Sequence, residues 1–178
     1  MIARWKPVHL GHAAILEDMC RRAERVFIGI GSANRYNADN PFTAAETAQM
    51  IQVALGPEAA ARCDIVGIPD FDDGPRWSAY VSDLMGPLDA FVTANPYVRS
   101  LLEPHYTILH PLQLVPPSGR FPIDGTMVRA AMRAGEPWEH LVPPAVAAWI
   151  IQHGLVERVR SAFGTVVGSA ATRSSAAP

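Results

Sequence analysis

Lysine is almost missing from this chain of 178 residues: of its fifteen basic side chains only Lys6 is a lysine. Any recognition of phosphate therefore rests on arginine, histidine, backbone N–H groups and that single ammonium. A surplus of positive charge is missing as well. The net charge of -2 argues against a general nucleic-acid binder, whose surface is normally basic, while leaving room for a local basic pocket. Only two cysteines occur, Cys20 and Cys63, without a CxxC or repeated spacing, so the expectation is buried reduced thiols. No apolar run approaches the ~20 residues that span a bilayer, and no signal-peptide pattern opens the chain. The expectation is a cytoplasmic protein with no membrane partner.

What is present is a globular composition, 49% hydrophobic and 18% charged, of a length that suits one domain. Short apolar runs rich in Val, Ile and Phe, at Arg25–Ser32, Cys63–Ile68, Leu88–Thr93 and Tyr106–Leu109, read as strands. Between them Leu10–Arg22, Thr43–Leu55, Trp77–Met85 and Pro96–Glu103 carry helical periodicity. Thr43 and Glu46 form a T-x-x-E capping box that fixes one helix start. This β-α-β-α order predicts an α/β fold, a Rossmann-like doubly wound parallel sheet with helices on both faces. A helical C-terminal part follows, over Thr126–Ala134, Trp138–Leu141 and Pro144–Gln152, the last opened by Pro143 and Pro144 and stopped by Gly154. The domain is expected over 1–163. From 164 to 178 the residues are small and polar, which predicts a disordered tail. Only Met1, Ile2 and Ala3 precede Arg4, so the expectation is either a truncated first strand or a translation start upstream of this Met.

The sharpest local signal is His9-Leu10-Gly11-His12, placed where a first strand hands over to a first helix. Composition gives roughly 0.015 such matches by chance, so chance explains it poorly. Unpaired N–H groups and the positive end of the dipole attract phosphate at a helix start, and Gly11 lets phosphates approach without meeting a Cβ. Two imidazoles there can donate to a triphosphate. Nucleotidyl transfer needs little covalent help from protein, only positioning and donors that offset charge on the departing pyrophosphate. A metal pair or two ordinary surface histidines is the competing reading, although zinc would want further ligands that no nearby motif supplies.

A second signal lies over a hundred residues on. Asp124-Gly125-Thr126-Met127-Val128-Arg129 opens another helix, putting more N–H groups, a hydroxyl and an early-turn guanidinium at a helix start. A capped helix with a solvated arginine is the plain alternative. Arg4 and Lys6 add positive charge just before the histidines.

Taken together, Ala3-Arg4-Trp5-Lys6-Pro7-Val8-His9-Leu10-Gly11-His12, Gly31-Ser32-Ala33-Asn34, Asn40-Pro41-Phe42-Thr43-Ala44, Ile68-Pro69-Asp70-Phe71 with Trp77, Asn95-Pro96-Tyr97-Val98, the D-G-T-x-x-R segment and Trp138-Glu139-His140-Leu141-Val142-Pro143 resemble, in order, the motif blocks of archaeal-type nicotinamide mononucleotide adenylyltransferases. The likeness covers about residues 2 to 150. It implies that the phosphate of nicotinamide mononucleotide attacks the α-phosphorus of ATP, giving NAD and pyrophosphate with Mg2+ present. By position it implies His9, His12 and Arg129 as the catalytic group, with Arg4, Lys6, Gly11, Gly125 and Thr126 around the ATP phosphates. Ser32, Asn34, Asp70, Phe71, Trp77 and Asn95 are implied on the nicotinamide side, with the Trp77 indole stacking on the pyridinium. A core contact is the other reading of Trp77, and a solvated acidic turn or a metal cluster are the two readings of Asp70, Asp72 and Asp73. The resemblance further implies a homo-oligomer whose partners are small molecules.

The chain also departs from the family pattern. Asp124 stands where the family has Ser, and Ala45 and Thr47 replace its Gly and Arg. Asp124 either turns away to cap its helix or faces, and repels, the phosphates. A nucleotidyltransferase for another phosphorylated acceptor, and an adenine-nucleotide-binding regulatory module without turnover, are the alternative functions.

Overall fold

The computed structural model describes residues 1–163, so the tail expected over 164–178 lies outside the described residues. Strands and helices alternate: β1 Ile2–Ala3, α1 Leu10–Arg22, β2 Val26–Ile30, α2 Ala44–Ala60, β3 Cys63–Gly67, α3 Gly74–Met85, β4 Phe91–Val92, α4 Pro96–Leu102 and β5 Ile108–Leu109. Four further helices follow, α5 Pro111–Leu114, α6 Gly125–Ala134, α7 Pro144–Gln152 and α8 Leu155–Phe163. All strand pairs are parallel, with β1-β2-β3 in one ladder and β4-β5 in another.

Both faces of the central strand β2 are covered, as a parallel sheet requires, whereas Asp64 on the edge strand β3 is exposed. Along β2, Val26, Ile28 and Ile30 enter one apolar core with Ala3, Val92 and Leu109, while Phe27 points into the other with Ile2, Phe91 and Ile108. The two ladders thus share one alternation of faces. Helices α1, α2, α6, α7 and α8 supply the larger core and α3 and α4 the smaller. This is the α/β doubly wound arrangement the sequence pattern predicts. Gly29 sits opposite Ile2 in the register. A Cβ there would come within 2.6 Å of Ile2 Cγ1, so glycine is what lets the short β1 lie against β2.

Helices α1 and α7 have the expected bounds, and Thr43 and Glu46 close both bonds of the capping box. Three expectations are corrected. Helix α2 runs past Leu55 to Ala60 because the chain kinks at Gly56, in the left-handed region at φ 74°, and restarts at Pro57. Trp138–Leu141 is a single 3-10 turn, Glu139–Leu141. Gly154 does not end the helical part: its φ of 64° turns the chain into α8, which buries Leu155 and Val159. Cys20 is buried as expected, whereas Cys63 is half-buried, and both are free thiols with sulfurs 3.6 Å apart. Burial pushes the Cys63 thiol up to about 12, which leaves almost no thiolate to react at neutral pH.

Helix α8 is a fastener. Arg158 forks onto Glu46 at 2.7 and 2.8 Å and donates to the Pro41 carbonyl at 3.0 Å, while Arg160 Nε donates to the Met132 carbonyl at 2.9 Å. These bonds tie α8 to the start of α2 and to the end of α6. The Arg158–Glu46 pair is bidentate, with 28% and 23% of the two side chains exposed, so it is expected to exceed an ordinary surface pair. A double-mutant cycle of Arg158→Met and Glu46→Gln in urea unfolding should give a coupling of about 1 kcal/mol. A coupling near zero would show that α8 is held by its apolar face alone.

Candidate active site

The connection from β1 to α1 is six residues long, Arg4 to His9, and it is unusually buried. Trp5, Lys6, Val8 and His9 are all in the interior. Trp5 adopts a left-handed φ of 55°, a costly conformation for a non-glycine residue. Its indole N–H donates to the Gly29 carbonyl at 2.8 Å, which holds it there. The Lys6–Pro7 bond is cis.

His9 is the N-cap of α1, its Nδ1 accepting from the His12 backbone N–H at 3.4 Å. An acceptor Nδ1 puts the proton of the neutral ring on Nε2, so the free edge of the ring is a donor. The His12 ring stacks on His9 with centroids 3.6 Å apart and meets the Trp5 indole at 4.6 Å. Gly11 is needed at this spot, since a Cβ there would crowd His9 Nδ1 at 3.2 Å. Desolvation holds His9 down at about 4, against a smaller opposing pull from Asp124. Burial and the neighbouring His9 push His12 well below the ordinary range, with the Pro7 carbonyl opposing. Both imidazoles are therefore neutral at pH 7.

The start of α6 meets this connection from the other side. Arg129, itself buried, donates from Nη1 to the Lys6 carbonyl at 2.9 Å and from Nη2 to Thr126 Oγ1 at 3.2 Å. Gly125 makes room for that reach, because a Cβ would lie 3.0 Å from Nη1 and 3.3 Å from the Lys6 oxygen. Asp124 caps the helix, one carboxylate oxygen accepting from Thr126 N at 2.7 Å and Met127 N at 2.9 Å. Of the two readings open for Asp124 it takes the cap. Those backbone bonds, the one from Met127 foremost, with the charge of Arg129, hold its carboxyl below the usual range.

Arg4, His9, His12, Ser32, Asp70, Phe71, Trp77 and Asn95 line one cavity of about 740 Å³, a size suited to a nucleotide-scale ligand. Asn95 does so as the N-cap of α4. Arg129, Gly11, Gly125 and Thr126 lie beside it at the two helix starts rather than on its wall. Lys6 and Asn34 are placed differently. The Lys6 ammonium donates to the Ser32 carbonyl at 2.9 Å and reaches the Arg35 carbonyl at 3.5 Å, and burial lowers its pKa to about 8. Asn34 exchanges two bonds with the Asp70 backbone, at 3.0 and 2.8 Å. Both serve as struts for the loops in this structure. Arg35, which no motif singles out, pairs with Asp72 at 2.7 Å and Asp70 at 3.4 Å, so the acidic loop has an organic counter-ion. Among the described residues no group of three His, Cys, Asp or Glu is arranged to hold a metal, and no helix is long and apolar enough to cross a membrane.

A cytidylyltransferase-like family profile matches residues 3–73. The nicotinamide-nucleotide adenylyltransferase of Methanoculleus marisnigri is 35% identical over 166 residues, which is 92% of this chain and 96% of the relative. That of Ignicoccus hospitalis is 36% identical, covering 88% of this chain and 92% of the relative. Among solved structures, a bifunctional NMN adenylyltransferase/ADP ribose pyrophosphatase from Francisella tularensis superposes with a TM-score of 0.72 at 18% identity, over 92% of this chain. This chain spans about half of that longer protein, 51% of its length. A second structure of it, complexed with AMP and an Mn ion, gives a TM-score of 0.68. At this identity the likeness to both shows the fold.

Two outcomes follow from the geometry. The His9 pKa is depressed in the fold, so between about 6.5 and 4 the unfolded chain binds more protons and stability falls as pH falls through that window. His9→Asn keeps a capping side chain and should flatten the pH dependence of the urea midpoint there, by about 3 kcal/mol in all. An unchanged slope would remove His9 as the source. Asp124→Ser should leave the ATP Kd nearly unchanged, with or without Mg2+, because Ser caps equally well. A tenfold tightening would mean that the carboxylate repels the phosphates.

Proposed function

Because the chain belongs to the nicotinamide-nucleotide adenylyltransferase family, we propose that it joins ATP and nicotinamide mononucleotide to make NAD and pyrophosphate. The observation that carries the proposal is the meeting of two helix starts, α1 with its histidine pair and α6 with Arg129, joined by the 2.9 Å bond from Arg129 to the Lys6 carbonyl. The first-turn N–H groups that the caps leave over, those of Gly11 and Gly125, converge there with two positive dipole ends and a guanidinium, and a triphosphate is the ligand that matches them.

In the proposed reaction an oxygen of the mononucleotide phosphate forms a bond to the α-phosphorus of ATP. The bond from that phosphorus to the oxygen bridging to the β-phosphate breaks, and its electron pair leaves with pyrophosphate. The attacking oxygen is already an anion at neutral pH, so no general base is required. Arg4, His9, His12 and Arg129 hold the triphosphate, Gly11 and Gly125 supply backbone N–H groups, and Thr126 supplies its hydroxyl. As neutral rings, His9 and His12 donate without excess charge in the ground state and gain most as charge grows on the leaving group. Ser32, Asp70, Phe71, Trp77 and Asn95 line the acceptor end, where the indole favours a cationic pyridinium ring. Lys6 and Asn34 take part by holding the Ser32 and Asp70 backbones. A divalent cation, Mg2+, travels with ATP and neutralises part of its phosphate charge; the residues present fit a metal brought by the nucleotide rather than one caged by carboxylates. The family likeness supports a homo-oligomer, and the charge balance supports small molecules as partners in the cytoplasm.

The test is a panel of phosphorylated acceptors with ATP, following pyrophosphate and NAD. NAD formed only with nicotinamide mononucleotide is the expected result. Faster turnover of a different acceptor would replace the assignment, and ATP binding without pyrophosphate release would mark a regulatory module. Within the reaction, His12→Ala should lower kcat about 100-fold while changing the ATP Kd much less. Unchanged kcat would remove His12 from the mechanism.

A further inference from the structure

Arg133 lies one helical turn beyond Arg129 on α6, at the i, i+4 spacing that puts both on one face. Helical side chains lean towards the N-terminus, so Arg133 leans along α6 towards Arg129, whose charge it feels. Arg133 Nη2 donates to the Ala38 carbonyl, in the loop before α2, and its Nε is buried without a partner. Arg129 Nε is buried and unpartnered too. Among the described residues no carboxylate forms an ion pair with Arg4, Arg129 or Arg133, although eight such pairs occupy arginines elsewhere. The charges of Arg4 and Arg133, added to burial, lower the pKa of Arg129, with Asp39 and Asp124 opposing more weakly. Three guanidiniums thus stand close enough to repel one another, and two of them, Arg129 and Arg133, keep a buried donor to spare. A fold tolerates that where an anion of several charges is to be bound.

We propose that Arg133 is a third guanidinium of the triphosphate site, donating to the terminal phosphate of ATP and to the pyrophosphate that leaves. The Ala38 carbonyl is a neutral acceptor holding one of five donors. A phosphate oxygen is a stronger partner and has oxygens enough for Nε as well as Nη2. The assignment rests on the reading of the site as an ATP site and adds a residue that none of the motif blocks contains. It places Arg133 on the leaving end, away from the α-phosphorus and from the acceptor.

That placement makes a distinctive demand: ATP and pyrophosphate should feel Arg133, and AMP should not. The experiment is calorimetric titration of the whole chain with ATP, pyrophosphate and AMP, for the parent, Arg133→Met and Arg133→Lys, with thermal unfolding to confirm that each is folded. Arg133→Met keeps most of the stem and removes the charge. It should weaken ATP and pyrophosphate about tenfold, leave AMP within about twofold, and raise the KM for ATP more than it lowers kcat. Arg133→Lys should recover part of the loss. Equal weakening of AMP and ATP would overturn the proposal and reduce Arg133 to a tether for the Ala38 loop. Unchanged ATP and pyrophosphate binding would overturn it outright. If the parent binds pyrophosphate in an Arg133-dependent way but makes no NAD, the functional reading falls while Arg133 keeps its place in a polyphosphate site.

Discussion

Six residues have to carry the chain from β1 to α1 while burying an indole, an ammonium and an imidazole, and the site is built from the way they do so. The Lys6 backbone carbonyl receives Arg129, its ammonium holds the loop after β2, and His9 caps the helix that presents His12. Removing any one of these leaves a buried polar group unsatisfied, which costs more than the bond itself is worth. The segment is therefore stable only as a set. Its strained Trp5 backbone is held by the indole bond to Gly29, so the strain sits next to the site, where the surrounding structure over-determines it.

The electrostatics divide in the same way. Permanent charge comes from arginines that burial and mutual repulsion leave wanting an anion, whereas the histidines are kept neutral by desolvation. On the side of the acidic loop the charges are already matched, Arg35 with Asp70 and Asp72. The end beneath the two helix starts thus has unmet attraction for an anion, while the end lined by Phe71 and Trp77 offers shape and aromatic faces. Preorganisation of this kind avoids rearranging dipoles during the reaction.

Features legible in the sequence are those set by local rules. The bounds of α1 and α7, the Thr43–Glu46 capping box and the burial of β2 on both sides follow from period, caps and Pro placement, and the structure shows each. The cap made by Asp124 was one of two local options. What could not be read depends on partners far along the chain. Lys6 looks like a phosphate cation in the one-dimensional order, yet its neighbours in space are carbonyls 26 and 29 residues on. Arg35 and Arg133 belong to no motif, and their roles come from contacts 35 to 37 and 95 residues away. Helix α8 escaped notice because Gly154 is a fair stop signal by itself; only the packing of Leu155 and Val159 shows that the chain turns there and continues.

The bond between Arg129 and the Lys6 carbonyl spans 123 residues, and that between Arg158 and Glu46 spans 112. During synthesis the histidine segment leaves the ribosome first and must wait for most of the chain before α6 can reach it. At usual elongation rates of roughly 5–20 residues per second that delay is about 6 to 25 seconds, far longer than a helix takes to form. A nascent chain long enough to fold β1 to β3 can therefore display its histidines without the contacts that α6 brings. The fold closes late and in two steps, as the Arg129 and then the Arg158 clasp emerge.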